Sequence, residues 1–168
     1  MTRLPALGSR GEGWVVAQVV ILVLAAAAGW LGPAWDGPVR VVSSVLGVSL
    51  ISAGAVLVIG GTRDLGSALT PFPRPLAAAS LIETGAYGLV RHPIYGGIVL
   101  ASGGWALLTA SIPALMMSAI VWAFFTVKSI REEAWLVERF PDYPAYRART
   151  GRLIPWRVRV GGSADRSR

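Results

Sequence analysis

No cysteine occurs in this 168-residue chain, and histidine occurs once, at His92. The first absence excludes disulfides, thiolate metal sites and cysteine nucleophiles. One histidine without cysteine partners supplies no ligand set, so no metal is expected. Charge is scarce as well: 15% of residues are charged, against roughly 25% in soluble domains. Its distribution says more. No charged residue lies between Glu12 and Asp36, between Arg40 and Arg63, or between His92 and Lys128. These gaps hold 23, 22 and 35 residues. A membrane-spanning helix needs about 20 predominantly apolar residues. The first two gaps each fit one span. The third fits two short spans joined by a tight turn at Ser111-Ile112-Pro113, where proline marks a helix start.

Hydrophobic residues make up 54% of the chain. Four helical spans are expected, at about 14–32, 39–60, 94–110 and 113–128. The first has a cleavage-like "AAAAG", but its apolar core from Trp14 to Leu31 exceeds a signal-peptide h-region of roughly 7–15 residues. A retained helix is therefore the preferred reading. Ten of the sixteen Lys and Arg residues lie from Lys128 onward. In a soluble protein, a net charge of +7 would suggest nucleic acid. Here an anionic cytoplasmic membrane surface explains it better. Four spans put Arg3, Arg10, the 61–92 loop and the basic tail on one side, which the positive-inside rule makes cytoplasmic.

Gly47, Gly54 and Gly61 fall seven apart, as do Gly96 and Gly103, and Gly97 and Gly104. Small residues on one stripe allow close helix packing in membranes. The 61–92 loop is too proline-rich at "TPFPRP", residues 70–75, for regular helix. Its length marks it as functional. After Lys128 the 3.6-residue period of "SIREEAWLVERF" extends the helix to about Phe140. Pro141 and Pro144 are expected to end it. Tyr143, Tyr146 and "RLIPW" (152–156) read as an interfacial segment.

Two polar groups stand at the expected cytoplasmic mouths: Arg91-His92-Pro93 with Tyr95, and Arg131-Glu132-Glu133. A tight hairpin of the last two spans sets its far ends side by side, so His92 and Tyr95 should meet the two acids. Neighbours on a helix point about 100° apart. One acid can therefore face a ligand while the other meets Arg131, Arg91 or water. Taken singly, the same residues also read as topology anchors and a solvated helix face.

Together, "LIETGAYGLVRHPIYGG" and "REEAWLVERFPDYPAYRARTGRLIPW" resemble the isoprenylcysteine carboxyl methyltransferase family. The chain is also similar to the related membrane phospholipid N-methyltransferases. The resemblance covers about residues 60–157. It implies S-adenosylmethionine as cofactor, contacted by Leu81, Ile82, Tyr87, His92, Pro93, Ile94, Tyr95 and Glu132. It places Lys128 where the family has an arginine that helps with substrate. Lysine lacks the bidentate fork of arginine, so the chain departs from the family at that position. "FPDY" also departs from the usual glycine after phenylalanine. Glu133, Lys128 and Arg91 are the candidate catalytic residues, with Glu133 or His92 as a base if the acceptor is an amine.

The expectation is an all-α integral membrane protein with two N-terminal helices (1–60) and one integrated catalytic core (61–168). That core holds the loop, the tight hairpin, a cytoplasmic C-terminal helix and an interfacial segment. It would methylate a lipophilic small molecule or lipid, carboxylate or amine, at the cytoplasmic side of a bacterial inner membrane. The partners expected are membrane lipids and no nucleic acid. A sterol-reductase-type enzyme using NADPH and a non-catalytic scaffold are the alternatives.

Overall fold

The computed structural model describes residue 8 and residues 11–32, 35–70 and 80–155. Arg3, Arg10, most of "TPFPRP", Trp156 and the basic tail lie outside the described residues. The fold among the described residues is helical: α1 (Glu12–Ala28), α2 (Pro38–Leu65), α3 (Pro93–Thr109), α4 (Ile112–Arg139) and α5 (Tyr143–Arg149). Two short 3-10 turns, Gly66–Ala68 and Gly85–Gly88, lie between α2 and α3.

Helices α2 and α4 are long and apolar enough to cross a membrane, while α1 and α3 are shorter apolar helices of 17 residues each. Their outer faces carry exposed Val16, Val20 and Val23 on α1, Val41, Val45 and Val56 on α2, and Met116 and Ile120 on α4. Water disfavours so much contiguous apolar surface; lipid accommodates it.

The glycine stripes pack α2 against α3. A Cβ on Gly47 would lie 2.7 Å from the Gly104 carbonyl oxygen, and one on Gly54 would meet the Gly97 carbonyl oxygen at 2.5 Å. Backbone therefore touches backbone. The pairs 47–104 and 54–97 run in opposite directions, so the two helices are antiparallel.

Ala110 takes a left-handed turn at φ 53°, and Ser111 caps α4 by accepting from the Ala114 amide at 3.3 Å. The buried Ser111 hydroxyl also shares its proton between the carbonyls of Ala28 (2.7 Å) and Leu31 (2.8 Å). This ties the hairpin turn to the end of α1. At the core, Ala25, Val121 and Phe125 are buried together.

Two boundaries differ from the sequence reading. α1 ends at Ala28 instead of residue 32, and α2 runs on to Leu65, taking Arg63 and Asp64 into its last turn. As expected, α4 continues beyond Lys128, and it ends at Arg139. Pro144 does not break structure: it sits in the first turn of α5, where its missing N–H has no partner to lose.

Candidate functional site

The hairpin brings the two polar groups together at the open ends of α3 and α4. His92 precedes α3, and Pro93 opens that helix. Proline fixes its own backbone there, so the orientation of His92 and Tyr95 follows from the helix start. On α4, Glu132 and Glu133 diverge. The Tyr95 hydroxyl donates to Glu132 Oε2 at 2.8 Å. Glu133 turns the other way, into a buried ion cluster.

Glu133 is 2% exposed. Its Oε1 accepts from Arg91 Nη2 at 2.9 Å and Nε at 3.1 Å, and from Arg152 Nε at 3.1 Å. Its Oε2 accepts from Arg152 Nη2 at 3.2 Å. His92 Nε2 lies 3.3 Å from Oε1. A carboxylate only accepts, so that nitrogen carries the proton. His92 Nδ1 stands 3.8 Å from Glu132 Oε2, so the single histidine bridges the two acids. Its ring also stacks on Tyr95, with centroids 5.4 Å apart.

The C-terminal segment closes on this cluster. Arg91 Nη1 donates to the carbonyls of Arg147 and Thr150. The backbone amides of Arg91 and His92 donate to Gly151 O (2.8 Å) and Arg152 O (3.0 Å). From α5, the Tyr146 hydroxyl donates to Tyr87 O at 2.6 Å. The Gly85–Gly88 turn is held from the other side, where the Ala86 amide donates to Asp64 Oδ2 at 2.7 Å. Burial pushes the phenols of Tyr87, Tyr143 and Tyr146 above their ordinary range.

These elements enclose a cavity of about 350 Å³. Of the expected cofactor contacts, Leu81, Ile82, Tyr87, His92, Ile94, Tyr95 and Glu132 line it. Pro93 is buried at the helix start and does not. Of the expected catalytic residues, Arg91 and Lys128 line it, and Glu133 does not. The sequence reading passed over Thr62 and Leu65 on α2 and Leu136 and Phe140 near the end of α4. It took Tyr143 and Tyr146 for interfacial anchors, yet both face this cavity. Gln18, the lone amide of an apolar helix, lines the cavity from α1.

Lys128 is 1% exposed. Its ammonium donates to Gln18 Oε1 and stands 5.1 Å from the centroid of the Tyr95 ring, a favourable cation–π placement. A second, apolar cavity of about 400 Å³ lies among α1, α2 and α3, lined by Leu22, Val58 and Trp105 among others. Ile98 lines both cavities.

Comparison with known proteins bears on the same residues. Protein-S-isoprenylcysteine O-methyltransferase of Schizosaccharomyces pombe is 39% identical over 77 residues, covering 45% of this chain and 33% of that protein. Methanethiol S-methyltransferase 1 of Bradyrhizobium diazoefficiens is 38% identical over 75 residues, or 44% of this chain and 26% of that protein. The cobalt-zinc-cadmium resistance protein CzcN of Cupriavidus metallidurans is 28% identical over 145 residues, 84% of this chain and 60% of its own length. This chain thus spans between about a quarter and three-fifths of these relatives. The pattern of the phospholipid methyltransferase family matches residues 42–143, which include most of α2, all of α3 and α4, and most of the cavity wall. The chain belongs to the phospholipid methyltransferase family, with isoprenylcysteine and methanethiol methyltransferases among its relatives.

Proposed function

We propose that this protein is an integral-membrane methyltransferase that uses S-adenosylmethionine to methylate a lipophilic small molecule or lipid. One observation carries the reading. Seven residues expected to contact the cofactor, drawn from the loop before α3, α3 itself and α4, surround one cavity. That cavity falls within the range of small-molecule sites.

The lining fits the chemistry of the cofactor. Glu132 offers a carboxylate to hydroxyl or ammonium donors, and Tyr87, Leu81 and Ile82 offer apolar walls to a flat base. Bound S-adenosylmethionine supplies a methyl group already activated on a sulfonium sulfur. The chain's task is then to orient both reactants and exclude water, which lowers the barrier by several kcal/mol. Glu133, locked by two arginines and a histidine, acts in this reading by positioning Arg91 and His92. Lys128 and Arg91 are the cavity cations available to the acceptor's reacting group. A carboxylate or thiolate acceptor needs no base; for an amine, His92 is the group placed to take the proton.

In this reading α1 to α4 all span a bacterial inner membrane. A 17-residue helix is about 26 Å long, close to the roughly 30 Å hydrocarbon core. The chain termini and the cavity mouth then lie on the cytoplasmic side, where the arginines gather. The acceptor's apolar part suits the second cavity, which meets the first at Ile98.

Calorimetric titration of the protein in lipid nanodiscs with S-adenosylhomocysteine tests the reading. Saturable binding that NADPH does not displace is expected. Glu132→Gln removes a charged acceptor worth about 1.5–3 kcal/mol, so affinity should fall about 10- to 100-fold. Folded wild-type protein that binds no S-adenosylhomocysteine would sink the proposal. Unchanged affinity in Glu132→Gln would sink the placement of the cofactor.

A further inference from the structure

Gln18 lies on α1, outside the residues that the family pattern matches. After Glu12 at the helix start, every other side chain of α1 is apolar. Gln18 is half-buried, and an amide set in an apolar helix is disfavoured unless it finds a hydrogen-bond partner, so its placement calls for a reason. Its partner is Lys128, the only lysine among sixteen basic residues. The two residues are 110 positions apart and join the first helix to the fourth.

Their position is specific. Gln18 and Lys128 line the first cavity beside Tyr95 and Glu132. Leu22, one turn beyond Gln18, lines the apolar cavity instead. The pair therefore stands where the two cavities meet. Glu132 follows Lys128 by one helical turn, so one α4 face presents a donor of hydrogen bonds and then an acceptor. A lysine stem is flexible and its head is a compact charge. The Gln18 oxygen restricts that head to one place.

We propose that Gln18 is a positioning residue that holds the Lys128 ammonium at the junction of the two cavities. The acceptor's reacting group would meet this held ammonium while its apolar tail occupies the space between α1, α2 and α3. The inference rests on the methyltransferase reading and adds to it a residue that selects the acceptor. A positively charged donor fixed in place favours an anionic or lone-pair-rich group over a quaternary or protonated amine.

The full chain in nanodiscs, saturated with S-adenosylhomocysteine, can be titrated with dodecanoate and with dodecyltrimethylammonium. The two probes share a tail and differ in head charge. Dodecanoate is expected to bind the wild type, and Gln18→Met and Lys128→Met should each weaken it about tenfold. The double variant should lose no more than either single one, because Gln18 acts through Lys128. Gln18→Asn keeps an amide with shorter reach and should show a smaller loss. Dodecyltrimethylammonium affinity should not fall in any variant.

Wild-type dodecanoate affinity in Gln18→Met would overturn the proposal. Losses that multiply in the double variant would do the same, as would equal losses for both probes, which signal a purely structural role. So would a wild type that binds S-adenosylhomocysteine but not dodecanoate. Absence of S-adenosylhomocysteine binding would instead refute the methyltransferase reading, while the coupling between Gln18 and Lys128 stays readable from dodecanoate alone.

Discussion

Replacing Glu133 by glutamine asks how firmly one buried carboxylate fastens the C-terminal segment over the cavity. The carboxylate takes five close contacts from Arg91, Arg152 and His92, between 2.9 and 3.3 Å. Glutamine keeps one acceptor oxygen and turns the other into an N–H donor. That donor would face arginine N–H groups. The Arg152 side chain is 28% exposed and can turn to water. Arg91 is 8% exposed and cannot. Stranding one partner of a buried ion pair costs about 3–5 kcal/mol. Arg91 keeps its bonds to the carbonyls of Arg147 and Thr150, which puts the expected loss near 3 kcal/mol. That is on the order of a hundredfold in the equilibrium for releasing residues 150–155. Trypsin cleavage after Arg152 reports it, because the rate follows the open population when reclosing is fast. Glu132→Gln, which leaves the cluster intact, is the control. A wild-type cleavage rate in Glu133→Gln would refute the reasoning.

Gly54→Ala places a methyl group 2.5 Å from the Gly97 carbonyl and should destabilise the α2–α3 pair by about 1–3 kcal/mol, the usual penalty of overpacking. Gly103→Ala meets nothing within 4 Å and should leave the melting temperature unchanged or slightly raised, since alanine favours helix. Differential scanning fluorimetry on tryptophan separates the two, and equal shifts would contradict the packing. The raised phenols of Tyr87, Tyr143 and Tyr146 favour the neutral side chain in the fold. Their contribution to stability is thus complete below the unfolded value near 10 and is lost as pH rises through the folded values. Phenolate absorbance should then appear together with unfolding; ionisation of all three near pH 10 with the fold intact would contradict their burial.

Much of this arrangement was legible in the sequence because the governing rules are local or periodic. Charge-free gaps located the four apolar helices, since charge is excluded from hydrocarbon. The seven-residue glycine spacing on two helices predicted close packing, and it returns as Gly47 against Gly104 and Gly54 against Gly97. The 100° step between Glu132 and Glu133 predicted that they would diverge. α5 escaped because Pro144 reads as a breaker until one knows that it lies in a first turn.

Other features depend on long-range closure and leave no local trace. Which acid faces the cavity is decided by Arg91 and Arg152, which are 42 and 19 positions from Glu133. Their guanidinium groups converge on one side of α4 and draw Glu133 there, so Glu132 is left to the cavity. Had Arg152 not been returned by the α5 turn, Glu133 would lose both of its Arg152 hydrogen bonds, and the two acids would differ less. The asymmetry of the Glu-Glu pair is therefore a property of the closed C-terminal segment as much as of the helix that carries it. It follows that loosening this segment should weaken ligand binding at Glu132 even though no residue of 150–155 lines the cavity.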